Sequence, residues 1–143
     1  MPRLEELILP VSNLARSRDF YVDTVGLEVA VQGRDFLVLR TEEGATILLH
    51  STGGEPITPG SFMFELLVPD LDQWFRERAE GMTGVQKPPY DVSHEGDKWS
   101  PRREARLADP DGYSIVVFSS KPRVSEPPEP DEEERRWEDE GGR

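Results

Sequence analysis

The sequence predicts an α+β fold of two similar βαβββ modules whose curved mixed sheets border a cavity. Three observations predict it: an internal repeat, a helix-start signal at the same place in each copy, and strand-length apolar runs separated by turn residues after each helix. Leu9-Pro-Val11-Ser-Asn13-Leu14 is echoed by Leu66-Leu-Val68-Pro-Asp70-Leu71, each an apolar strand ending in Val-x-Asn/Asp-Leu. One such unit leaves a face of its sheet bare, so two must pair, within a chain or between chains.

The elements follow in order. Asn13 and Asp70 are strong N-caps, because their side-chain oxygens accept from the orphan amides of a first helical turn. After Asn13, residues Leu14, Ala15, Arg18, Tyr21, Val22 and Val25 fall on one stripe, and Gly26 is placed to close the helix in a left-handed cap. After Asp70, Leu71, Trp74, Phe75 and Arg78 form the stripe and Gly81 closes it. Strands are expected over 27–31, 36–40 and 45–50 in the first half. The second half has a weak strand near Val85, then Arg103 to Leu107, then Tyr113 to Phe118 after the Asp109-Pro-Asp-Gly112 turn. Residues 1–120 thus read as one domain with modules of about 1–52 and 60–120, and 121–143 as an acidic, Pro-rich tail whose large apolar residue is Trp137. Such a segment buries too little apolar area to offset its ordering entropy.

Composition narrows the function. The 143 residues carry a net charge of −12, which disfavours nucleic acid as a partner because phosphate recognition rests on clustered Lys and Arg. No cysteine is present, so disulfides, thiolate nucleophiles and Cys-ligated zinc are excluded. There is no Gly-rich phosphate loop and no Ser-His-Asp order. No apolar run approaches the ~20 residues of a membrane span, and the start lacks a signal-peptide pattern, so the cytoplasm is the expected address.

Val11-Ser-Asn-Leu14 through Ser17, Phe20-Tyr21 and Gly26-Leu27 resembles the opening helix of the vicinal oxygen chelate superfamily, which includes glyoxalases, bleomycin resistance proteins and extradiol dioxygenases. Arg103-Glu-Ala-Arg-Leu-Ala-Asp109-Pro-Asp-Gly112-Tyr-Ser-Ile resembles that superfamily's penultimate strand, turn and last strand. The resemblance implies metal ligands on the first and last strands of each module. Carried over, those positions fall on Glu6, Leu48, Met63 and Val116. One donor in four does not make a divalent site, which needs three or more protein ligands. Because strand residues alternate with period two, a shifted set of Glu6, His50 and Glu65 is the metal alternative.

The same face reads as a binding cavity lined by Glu6, Ile8, Pro10, Leu48, Met63, Glu65, Leu67, Val116 and Phe118, an apolar wall with two carboxylates. A buried carboxylate needs a cation or hydrogen bonds, which points to a small cationic or aromatic ligand. The closest resemblance is to the metal-free bleomycin-resistance-like branch, which implies a homodimer with clefts at its interface. Trp99, in Gly96-Asp-Lys-Trp99-Ser-Pro, either stacks on a ligand at the cavity mouth or packs its own loop. Arg103 is placed to pair with Glu6 or Glu65, and His94 reads as a surface residue of a polar loop. The leading expectation is therefore a cytoplasmic homodimer that binds a small molecule without a cofactor. The alternatives are a metal-dependent lyase, isomerase or dioxygenase using Glu6, His50 and Glu65, and a scaffold whose acidic tail binds a partner. The 51–60 linker is long enough for the modules to pair within a chain or across a dimer.

Overall fold

Each half begins with a strand that delivers its chain into a capped helix. In the computed structural model, which describes residues 1–42, 44–92 and 101–120, β1 (Glu6–Val11) is separated from Leu14 by Ser12 and Asn13. Asn13 Oδ1 accepts from the Arg16 amide at 3.0 Å and starts α1 (Leu14–Arg18). In the second half, β5 (Met63–Leu67) leads to Asp70, whose Oδ1 accepts from the Gln73 amide at 3.1 Å and starts α2 (Leu71–Arg78). The caps stand where the repeat placed them.

The first helix departs from the α-helical stripe. After Arg18 it widens into a π-helix over Asp19–Val25, closed by a bond from the Gly26 amide to the Tyr21 carbonyl at 3.2 Å. Gly26 takes the left-handed conformation expected of it, with φ 99°. The wider turn changes which side chains meet the core: Ser17, Phe20, Tyr21 and Val25 are buried, while Ala15 is exposed. Phe20 and Tyr21 are sequence neighbours, yet both point inward, ring edge to ring face at 4.9 Å. The second helix ends at Arg78, and Ala79 forms the cap before Gly81, at φ 85°, turns the chain away.

Strands β2 (Glu28–Gln32), β3 (Phe36–Arg40) and β4 (Thr46–Ser51) complete the first sheet in the order β1-β4-β3-β2, with β1 and β4 parallel. Strands β6 (Val85–Val92), β7 (Arg102–Ala108) and β8 (Ser114–Ser120) complete the second in the matching order β5-β8-β7-β6. The strand near Val85 is longer than its composition indicates. Pro88 and Pro89 are tolerated because β6 is an edge strand, and its register against β7 slips on either side of Lys87.

One core joins the halves. It gathers Leu9, Val11, Leu37, Leu39, Ile47 and Leu49 from the first sheet with Ala105, Leu107, Ile115 and Val117 from the second, around the buried helix residues. Polar side chains fasten this contact. The Tyr21 hydroxyl donates to Asp109 Oδ2 at 2.7 Å, the Trp74 indole to the Val25 carbonyl at 3.1 Å, and the Tyr113 hydroxyl to the Pro10 carbonyl at 2.9 Å. Asp111 accepts from both the amide and the hydroxyl of Ser12. Gly112, at φ 95°, makes the turn that places Asp109 and Asp111 there. No described helix is long and apolar enough to cross a membrane. The tail with Trp137, together with His94 and Trp99, lies outside the described residues.

Candidate functional site

Because the modules pack through their helix-bearing faces, the opposite face of each sheet is turned outward. Strand alternation decides which side chains appear there. On the first sheet, Leu9, Val11, Ile47 and Leu49 enter the core, so Glu6, Ile8, Pro10, Leu48 and His50 point the other way. The register sets them in rows: Glu6 beside Thr46 and Arg40, Ile8 beside Leu48 and Val38, Pro10 beside His50 and Phe36. On the second sheet, Met63, Glu65 and Leu67 stand beside Ser114, Val116 and Phe118, and these beside Ala108, Arg106 and Glu104. The sequence-derived lining residues of each module therefore share one face. Within a single chain that face is open: Ile8 is 61% exposed and Leu67 67%.

The two open faces differ in chemistry. The centre of the first is apolar, with Ile8, Leu48 and Val38 in one row. Glu6 lies at its margin, where Oε2 accepts from the Thr46 hydroxyl at 3.0 Å, beside a cleft lined by Arg3, Leu4, Glu5, Glu6, Gly44 and Thr46. The second face carries an ionic lattice. Arg102 pairs with Glu65 at 2.8 Å and with Glu104 at 3.0 Å, and its guanidinium lies 3.5 Å from the Phe118 ring centre. Glu104 is buried, and its other oxygen accepts from the Tyr90 hydroxyl at 3.0 Å. Burial, then the hydrogen bond and the charge of Glu104, push the Tyr90 phenol above its ordinary value. Tyr90 therefore stays a neutral donor.

Arg103 does not belong to this face. Its guanidinium pairs with Asp72 of α2 at 2.8 Å and with Asp91 at 3.0 Å, so it braces the helix side of the second sheet. The expected partner of Glu65 is instead Arg102, one residue earlier. A shift of one residue along a strand changes the face, and Ala105 and Leu107 fix Arg103 on the core side. The sequence reading missed Arg102, Glu104, Arg106 and Tyr90. Their signal was present in Arg102-Arg-Glu-Ala-Arg-Leu107, where Ala105 and Leu107 anchor one phase and charged residues occupy the other.

The alternative metal set is not assembled. Glu6 is level with Thr46 and His50 with Pro10, a separation of four strand residues, or about 13 Å, with both side chains on the same face. Glu65 belongs to the other sheet and is held by Arg102. Among the described residues no group of three or more His, Asp or Glu is placed to hold a metal ion. The positions carried over from the resemblance, Glu6, Leu48, Met63 and Val116, offer one carboxylate and three apolar side chains, a donor set that does not fit a divalent ion.

A family model described as the Glyoxalase/Bleomycin resistance protein/Dioxygenase superfamily matches residues 3–117. No curated protein matches the chain. Among solved structures, a protein described as from the mobile metagenome of V. Pseudocholerae is 19% identical, with a TM-score of 0.68 over 85% of this chain and 97% of that one. A glyoxalase/bleomycin resistance protein/dioxygenase from Alicyclobacillus acidocaldarius is 18% identical, with a TM-score of 0.62 over 83% of this chain and 92% of that one. A lactoylglutathione lyase from Agrobacterium tumefaciens is 20% identical, with a TM-score of 0.60 over 83% of this chain and 94% of that one. At such identities the likeness carries the fold and not the activity.

Proposed function

The chain belongs to the Glyoxalase/Bleomycin resistance protein/Dioxygenase superfamily, and from that frame we propose that it is a cytoplasmic homodimer that binds a small, flat, apolar-bodied molecule between its open sheet faces. The observation that carries this reading is the set of exposed apolar side chains on the sheet faces turned away from the core, Ile8 on the first sheet and Met63 and Leu67 on the second. Apolar surface left open on a sheet face points to an interaction site. A second copy that sets its second sheet opposite the first sheet of this chain covers both faces and encloses two equivalent cavities. Each cavity has one apolar wall, from β1, β3 and β4, and one ionic wall, from β5, β7 and β8. The donor set supports ligand binding without a family-type metal.

Sedimentation velocity and thermal unfolding with a panel of small aromatic compounds test the reading together. The wild-type chain is expected to sediment as a dimer, and a ligand that binds only the folded state is expected to raise the midpoint. Ile8→Asp places a charge in the apolar wall without touching the core, so it should give a folded monomer that no compound stabilises. A wild-type monomer whose midpoint no compound moves would overturn the proposal.

A further inference from the structure

The ionic lattice of the second sheet does not close on itself. Glu65 and Glu104 both pair with Arg102, and the second oxygen of Glu104 is taken by Tyr90. Arg106 and Lys87 face each other across β7 and β6, and among the described residues no carboxylate pairs with either. Two like charges at directly opposed strand positions repel. Arg106 is half-buried, and its Nε is shielded from solvent with no hydrogen-bond partner. A buried donor left without an acceptor is unusual enough to require a reason. Its register neighbour Val116 is 3% exposed although it lies on the face away from the core. The result is a guanidinium with an unsatisfied Nε beside the buried Val116, in a chain of net charge −12.

We infer that Arg106, with Lys87 beside it, anchors an acidic group, a carboxylate or a phosphate, on a small molecule whose apolar body lies against the facing apolar wall of Ile8, Leu48 and Val38. The inference rests on the reading that this face lines a ligand cavity, and it reverses the ligand charge that Glu6 and Glu65 alone imply. The planar guanidinium fork matches either acid, donating two parallel hydrogen bonds, whereas Lys87 contributes a point charge. A bound anion relieves the repulsion between the two cations and gives the Arg106 Nε its acceptor.

Isothermal titration of the full-length chain with 2-naphthoate, 2-naphthyl phosphate and neutral 2-naphthamide tests it. At least one anion is expected to bind about tenfold tighter than the amide, which is the scale of one charge-assisted hydrogen-bonded pair. Whichever anion binds tighter identifies the acid. Arg106→Gln should abolish that preference, lowering the affinity for the anion far more than that for the amide. Arg106→Lys, which keeps the charge and loses the fork, should retain part of it. Equal binding of the amide and both anions to the wild-type chain would overturn the role of Arg106 and leave the cavity standing, as would a preference that survives in Arg106→Gln. Failure of all three probes to bind the wild-type chain would overturn the cavity reading and this inference together.

Discussion

Replacing Tyr21 by Phe removes one oxygen atom from the contact that joins the two halves, and its cost can be worked from the structure. The hydroxyl is fully buried and donates at 2.7 Å to Asp109, itself 5% exposed. The remaining Asp109 oxygen accepts from the Asp111 and Tyr113 amides, both at 2.9 Å, so the carboxylate of the variant is half satisfied. Loss of a hydrogen bond to a buried charged acceptor costs roughly 1.5–3 kcal/mol, and the two surviving donors argue for about 2 kcal/mol. With a slope near 1.5 kcal/mol/M, the urea midpoint should fall by roughly 1.3 M.

The pH dependence supplies a second readout. Burial raises the Asp109 carboxyl, while the bond from Tyr21 and the two backbone amides lower it. Removing Tyr21 therefore raises it further. Above the raised value of the variant, both proteins hold Asp109 ionised and the full cost is felt. As pH falls through that value and then through the wild-type value, both become protonated, and the charge-dependent part of the difference disappears. The destabilisation should thus be larger at pH 7 than near the ordinary carboxylate range. A loss under about 0.5 kcal/mol, or one that does not change with pH, would refute the assignment of Tyr21–Asp109 as a charge-assisted fastening between the halves.

Two further outcomes follow from the local geometry. Asn13→Ala removes the acceptor of the Arg16 amide and should lower stability by about 1 kcal/mol, measured by chemical denaturation. Gly112→Ala forces a side chain into a left-handed conformation 3.2 Å from Pro59, and should cost about 1–2 kcal/mol with weakened docking of Asp109 and Asp111, read from the thermal midpoint.

The fold was largely legible because its signals are local. Asn13 and Asp70 cap helices in the structure through the bonds that their side-chain chemistry dictates, and Gly26 and Gly112 hold the positive φ that their positions require. What escaped was set by packing. The π-helix from Asp19 to Val25 has no local signature, because it forms to bury both Phe20 and Tyr21. The length of β6 escaped because Pro88-Pro89 argues against a strand in isolation, whereas an edge position removes the objection. The outward face of each sheet was legible, but the network of side chains on it was not. Ile8, Leu48, Met63, Glu65, Val116 and Phe118 stand where alternation places them. The pairing of Glu65 with Arg102 depends on the phase of β7, which one residue decides.

The irregular margins of the sheets bear on how this chain associates with itself. The edge strands β1 and β6 carry Pro10 and Pro88-Pro89, and β2 slips register between Val29 and Val31. Prolines and slips of this kind spoil the row of free amides on which another chain could nucleate a fibre. The remaining edge, β5, is five residues long and has Glu65 at its centre. With strand addition blunted at the margins while greasy surface stays open on the faces, association is steered from open-ended polymers toward closed, face-to-face assemblies. A substitution such as Pro10→Val would remove the guard at the β1 edge while keeping an apolar side chain at that place on the face.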